Sequence, residues 1–285
     1  MPIEHISDTA RWVAVYRAME SERPDAIFRD PFARRLAGPQ GEEIVRTMKQ
    51  GRASAWAMIV RTAVFDEIVR DTIAAGDIDT VVNLAAGLDA RAWRMELPPD
   101  LHWVDVDLPA ILAYKADALR GETPRCRYEA IATDLTDDSA RHALFTRLGA
   151  GSKRALVVTE GLLIYLSAEQ VGALARDLRG QPSFASWLID LANPWLLKYM
   201  TKSWGKVAEK GNAPFKFAPA EGTAFFEPFG WHEAVFRSSM EEAHRLHREM
   251  ALAWLWRFMG RFSSRKRRDE MKRISGSVLL ERTEG

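Results

Sequence analysis

Acidic residues recur at the ends of apolar runs between positions 80 and 160. The run TVVNLAA is followed by Gly87, LHWVDVD carries Asp105 and Asp107, RYEAIATD ends on Asp134, and RALVVTE ends on Glu160. An ionised carboxylate only accepts hydrogen bonds. Carboxylates gathered at one edge would therefore suit a ligand rich in donors and positive charge: ribose hydroxyls, an adenine amino group, a cationic centre. Asp107 lies twenty residues after Gly87, the separation at which an acid takes ribose hydroxyls in nucleotide-binding folds. The turn has a single glycine, so the backbone can approach a ligand closely at one point only. A pyrophosphate cradle is poorly supported, and the pattern favours an adenosine without phosphates. Each acid taken alone reads equally well as a helix cap: Asp107 precedes Pro109, and Asp137 stands before a helical stretch. Recurrence on consecutive runs is what points to a shared site.

These residues need strands to deliver them to one edge. From Thr80 onward, β-branched apolar runs alternate with helical stretches at 88–97, 109–120, 139–148 and 167–179, and the series continues with SWLIDLA. Strands separated by helix-length crossovers specify a parallel sheet covered on both faces, with ligands beyond the carboxyl ends of the strands. Residues up to about 76 are helical. In SDTARWVAVYRAMES, Trp12, Val15, Tyr16 and Met19 share a face behind a Ser7 or Asp8 cap. In FRDPFARRLAG, Asp30 and Pro31 open a helix that Gly38 should stop, and ASAWAMIVRTAVFDEIVRDTIAAG reads as one helix ending at Gly76. After Asn193-Pro194 the periodicity is lost, residues 231–260 read as helical, and SGSVLLERTE reads as a last strand. The expected organisation is a helical cap over 1–76 and a core over 77–285, with an insertion at about 195–260 after the fifth strand.

Composition narrows the function classes. The chain has 285 residues, 47% hydrophobic and 28% charged, with a formal net charge of +1. That describes an ordinary globular protein with no overall field to attract nucleic acid or an acidic membrane, so neither is expected as a partner. Cys126 is the single cysteine, which excludes an internal disulfide and a cysteine-based zinc site. No histidine pair has metal-ligand spacing, and no metal is expected. The N-terminal MPIEHISDTARW lacks the order of a secretory signal, and ALVVTEGLLIYL is too short and too interrupted to span a bilayer. A reducing, cytoplasmic setting is expected. Arginine outnumbers lysine and alanine is abundant, a bias of GC-rich bacteria. The run RFSSRKRRDEMKR reads as a solvated basic segment rather than a nucleic-acid or membrane contact. The aromatics Trp195, Tyr199, Trp204, Phe215, Phe217, Phe225 and Phe226 fit either a substrate pocket or the insertion's own small core, and Tyr165 reads as core.

The segments SERPDAIFRDPFARRLAG, VRTAVFD, VVNLAAGLDARAWR, VDVDLP, ATDL and TEGLLIYL, in this order and spacing, resemble the class I S-adenosylmethionine-dependent methyltransferases of the leucine carboxyl methyltransferase type, including bacterial members that methylate polyketides or other small molecules. The resemblance spans roughly residues 7–190 and continues weakly through FFEPFGW. It implies a doubly wound, mostly parallel sheet of seven strands. It implies that Arg61 grips the methionyl carboxylate, Gly87 admits the methionyl part, Asp107 holds the ribose hydroxyls, Asp134 accepts from the adenine amino group, Leu135 offers its N–H and an apolar contact, and Glu160 lies near the methionyl ammonium or sulfonium. Ala85 stands where many methyltransferases have glycine, and Ala90 where relatives often have threonine. Alanine suits the turn if its φ stays negative and is strained if φ is positive.

The implied chemistry is transfer of methyl from a sulfonium to oxygen, with a small-molecule carboxylate as the leading acceptor. A carboxylate is ionised at pH 7 and needs no general base. The alternatives are a phenolic hydroxyl, which would want a base such as His232, a protein C-terminal carboxylate, a nicotinamide-dependent oxidoreductase, which the missing pyrophosphate glycines oppose, or a binding-only relative. The sequence leaves the oligomeric state open.

Overall fold

The description of the fold comes from a computed structural model and covers residues 7–47, 54–210, 214–251, 253–255 and 264–283. Three helices come first: α1 (Ser7–Ser21), α2 (Ala33–Thr47) and α3 (Ala55–Ala74). Strand and helix then alternate through β1 (Thr80–Leu84), α4 (Arg91–Arg94), β2 (His102–Asp107), α5 (Pro109–Ala118), β3 (Arg127–Ala132), α6 (Asp138–Gly151), β4 (Ala155–Thr159), α7 (Ala168–Arg179) and β5 (Phe184–Ala192). The chain closes with α8 (Pro194–Lys210), β6 (Trp231–Ser238), α9 (Ser239–Arg245), α10 (Arg265–Lys272) and β7 (Ser275–Arg282). The seven strands form one sheet in the order β3-β2-β1-β4-β5-β7-β6. The first five are mutually parallel, and β7 runs antiparallel to both β5 and β6. Strand order reverses between β1 and β4, which opens a crevice beyond their carboxyl ends.

The central strands are apolar on both sides because both faces are covered. Val81, Leu156, Val158 and Leu188 turn to the face packed by α1 to α3, with Val15, Leu36, Val64 and Phe65. Their neighbours Val82, Val157 and Ile189 turn to α6 and α7, with Phe145, Leu148, Val171 and Leu174. This is the two-residue period of a strand doubled into a continuous apolar run. Local chemistry sets the helix starts. Asp137 accepts from the Ala140 N–H, and Ser167 and Gln170 form a reciprocal capping box at α7.

Several expectations need correction. The helix expected over 88–97 shrinks to the four residues Arg91–Arg94. Gly38 breaks α2 with φ 61°, but Pro39 restarts the helix at once. The stretch after Pro194 is helical as far as Lys210: Asn193 accepts from the Leu196 N–H and Pro194 opens α8, so the Asn-Pro pair is a start signal. Its apolar residues mislead because Trp195 and Tyr199 are exposed and mark no buried face. Trp231–Ser238 is strand, not helix. A bulge between Glu233 and Val235 breaks the alternation and imitates helical spacing. Of the apolar segment 251–260 that follows α9, residues 251 and 253–255 are described. The basic run forms α10, with no buried residue; its positions 261–263 lie outside the described residues. Phe217, Phe225 and Phe226 pack edge to face with one another, and Phe226 meets Trp187 the same way, as a small core. Phe215 lies 5.7 Å from the Tyr165 ring, and the Trp204 side chain is outside the described residues.

Candidate functional site at the carboxyl edge of the sheet

The turn after β1 is tight. Ala85 has φ 52° and Gly87 φ 51°, and a Cβ added at Gly87 would come 3.2 Å from the Ala10 Cβ of α1. Only glycine takes this backbone region without strain. Ala85 therefore holds a conformation that disfavours a side chain, the unfavourable of the two cases that the sequence left open. Ala85→Gly should raise stability by up to about 1 kcal/mol, the relief of left-handed strain less the greater entropy of an unfolded glycine. Urea unfolding measures this, and a loss of stability would mean that the Ala85 methyl packs better than its backbone suffers.

The acid at the end of β2 meets this turn. Asp107 accepts from the Gly87 N–H at 2.6 Å and from the Leu108 N–H at 2.7 Å. Burial pushes its carboxyl above the ordinary range, and the two N–H donors pull it back only in part. Leu108, not Asp107, takes the cap position of α5. Asp105, two residues earlier and so on the same face of the strand, is fully buried. It accepts from Lys115 at 2.5 Å, Tyr128 at 2.9 Å, Trp103 at 2.9 Å and Asn83 at 3.0 Å. The two acids of VDVD thus differ in kind: Asp105 is saturated inside the fold, while Asp107 sits at the crevice.

Asp134 follows β3 and is exposed, its Oδ1 accepting from the Thr136 N–H and hydroxyl, which lowers its carboxyl. Leu135 is half-buried beside it, and its carbonyl accepts from Arg141. Glu160 follows β4 and is held between two arginines. Arg61 of α3 donates from Nε to its Oε1 at 3.0 Å, and the Arg91 Nη1 lies 2.8 Å from its Oε2. Burial alone would raise the Glu160 carboxyl; Arg91 and Arg61 outweigh it and hold the group below the usual range. The structure brings Arg61, Gly87, Asp107 and Glu160 to the crevice edge, with Asp134 and Leu135 on the loop beyond β3.

Sequence reasoning missed the charges behind this edge. Arg91, 2% exposed, reaches Asp66 at 2.6 Å and Asp89 at 2.8 Å as well as Glu160. Arg94 grips Asp66 through two nitrogens at 2.6 Å. Arg17 of α1 bonds Asp30 at 2.8 Å and the Leu88 carbonyl at 2.6 Å. Asp190, at the end of β5, accepts from Arg61 at 3.1 Å and from the Gly161 N–H at 2.6 Å. The available signal was the run DARAWR directly after the turn, where two arginines fall in a short and otherwise apolar helix. These ion pairs tie α1 and α3 to the turn, so the N-terminal helices are part of the site's frame.

His232 is elsewhere. It pairs with Glu281, which pairs with Ser186 at the start of β5, so it lies at the opposite edge of the sheet, roughly 20 Å from Glu160 by strand spacing and rise. His232 is therefore not among the residues that the fold gathers at the crevice edge. Among the described residues no cluster of histidine, cysteine and carboxylate side chains could hold a metal, and no helix is long and apolar enough to cross a membrane.

The strand order and the carboxyl-edge crevice define a Rossmann-like methyltransferase fold. A crystal structure of a DUF574 family protein from Streptomyces avermitilis superposes with a TM-score of 0.58 at 14% identity, covering 96% of this chain and 97% of the other. A provisionally named methyltransferase from Thermobifida fusca does so at 0.59 and 16% identity, covering 95% and 94%. The chain belongs to the leucine carboxyl methyltransferase family, whose profile matches residues 10–179. A Streptomyces coelicolor protein provisionally named an S-adenosyl-L-methionine-dependent methyltransferase is 36% identical over 194 residues, covering 62% of this chain and 66% of that protein. A Parafrankia protein with the same provisional name is 38% identical over 183 residues, covering 61% and 58%. The chain thus matches less than two thirds of the length of these relatives.

Proposed function

We propose that the chain is an S-adenosylmethionine-dependent O-methyltransferase acting on a carboxylate of a small molecule. The observation that carries this reading is the acceptor set at the switch point, Asp107 after β2 and Glu160 after β4 on either side of the Gly87 turn, in a chain of this family. The set fits the cofactor by its chemistry. Carboxylates lining the turn would repel phosphates but match hydroxyls, an ammonium and a sulfonium. Asp107 takes the ribose hydroxyls, and Asp134 with Leu135 takes the adenine. Arg61 takes the methionyl carboxylate and Glu160 the ammonium, while Gly87 keeps the turn clear. S-adenosylmethionine, when bound, supplies the methyl group and the thioether that leaves. The chain's own contribution is alignment and exclusion of water. The buried Cys126 fits a cytoplasmic setting.

S-adenosylhomocysteine at about a hundred times its dissociation constant should stabilise the fold by roughly 2.7 kcal/mol, and NADH should not. A melting shift with NADH alone would overturn the cofactor assignment. The methylated product should release methanol in mild alkali, as an ester does and an ether does not. The chemical step should stay nearly flat from about pH 6 to 9, since an ordinary carboxylate is ionised throughout, whereas a phenol with a pKa of about 10 would need a base. An alkali-stable product would replace the carboxylate by a hydroxyl acceptor.

A further inference from the structure

Charges alternate along one line at the crevice. Asp66, Arg91, Glu160, Arg61 and Asp190 follow one another at 2.6, 2.8, 3.0 and 3.1 Å. Exposure rises outward from Arg91, from 2% for its side chain to 15% for Glu160, 16% for Arg61 and 22% for Asp190. In the middle pair, Arg61 and Glu160, each member holds a second charged partner, Glu160 keeping Arg91 and Arg61 keeping Asp190, and the pair is more exposed than the Arg91 contacts behind it. Stranding a buried charge without a counter-ion is the expensive outcome in a protein interior, and here separation of the middle pair strands neither group. Gly161 contributes to the same device. Its φ is 69°, its N–H holds Asp190, and a Cβ there would come 3.2 Å from the Arg61 Nη1.

We infer that Arg91 and Asp190 are positioning residues that let the Arg61–Glu160 ion pair part and receive the two opposite charges of an amino-acid zwitterion, the methionyl end of a sulfur nucleoside. The inference rests on the cofactor reading above and adds to it the anchors on which the reading depends. A ligand bearing only an ammonium, or only a carboxylate, satisfies one of the separated groups. A zwitterion satisfies both. Arg91 fixes Glu160 from inside the fold, and Asp190 fixes Arg61 from the end of β5, so the two recognition groups stay ionised and aimed after they part.

The test compares two probes on the full chain by calorimetry: S-adenosylhomocysteine, and 5′-methylthioadenosine, which keeps ribose and adenine but has no amino-acid end. Asp190→Asn retains the acceptor for Gly161 and removes the charge. It should weaken S-adenosylhomocysteine by about tenfold or more, the worth of a charge-assisted bond, and change 5′-methylthioadenosine by less than about twofold. Asp190→Glu, which restores the charge, should recover most of the loss. Arg91→Lys should show the same selective loss, read alongside its melting temperature. Equal weakening of both probes would make these residues merely structural and overturn the inference. So would unchanged binding of S-adenosylhomocysteine to Asp190→Asn. A wild-type chain that binds neither probe overturns the cofactor reading and this inference with it, whereas selective binding of the wild type with non-selective variants overturns the inference alone.

Discussion

Asp105→Ala should lower the free energy of unfolding by about 3–5 kcal/mol, the range for removing one partner of a buried ion pair. The reason is what it leaves behind. Lys115 is 1% exposed and has Asp105 as its carboxylate partner at 2.5 Å, and the substitution would strand its amine without that partner beside the Trp93 ring. The Tyr128 hydroxyl, the Trp103 indole N–H and one Asn83 amide N–H lose the same acceptor. Each unsatisfied buried donor adds its own desolvation penalty. The defect also lies between β2, β3 and α5, so it cannot be relieved by one local shift. Urea unfolding followed by circular dichroism measures the loss. A change below about 1 kcal/mol would mean that water reaches Lys115 and that the core at this point is not dry.

Asp107→Ala should do the reverse: fold with a modest loss and bind S-adenosylhomocysteine about tenfold or more weakly, since a hydrogen bond to a charged group contributes about 1.5–3 kcal/mol. The structure adds a second route to the same loss. The Asp107 carboxylate accepts from the Gly87 N–H at 2.6 Å, so its removal also frees the turn that must approach the ligand. Asp107→Asn separates the two routes, because it keeps an acceptor for Gly87 and removes the charge. Burial raises the Asp107 carboxyl, so its ionised form is lost at a higher pH than that of an ordinary aspartate, and nucleoside affinity should decline as pH falls through that raised value. Asp107→Ala should abolish this decline. If Asp107→Ala binds normally and keeps the wild-type pH dependence, the ribose assignment fails.

The comparison of these two acids shows how far residue patterns reach. The alternation of apolar runs and helix-length spacers determined a parallel sheet, and the positions of Gly87, Asp107, Asp134 and Glu160 determined which edge carries polar groups, because both depend on local period and on where a strand stops. The start of α7 was equally local, since Ser167 and Gln170 cap it within one turn. Strand β6 was hidden because a bulge changes its period, and α8 because Trp195 and Tyr199 face solvent. Position alone could not tell Asp105 from Asp107, two residues apart on one face of one strand: the first lies within the strand under Lys115 and Tyr128, the second at its end beside the Gly87 turn.

What only the tertiary structure decided is the partnership of charges. Arg61 meets Glu160 across 99 positions and Asp190 across 129, and Arg91 meets Asp66 across 25. No local period encodes such distances. They arise when α3 is laid against the ends of β4 and β5 by the apolar packing of Val64, Phe65 and Ile68, and that packing is non-directional, so it brings elements together without naming which side chains will face each other. The sequence by itself determined a sheet with an acid-lined edge. The fold decided that Arg61 and Arg91 lie against Glu160 and hold its carboxyl below the usual range.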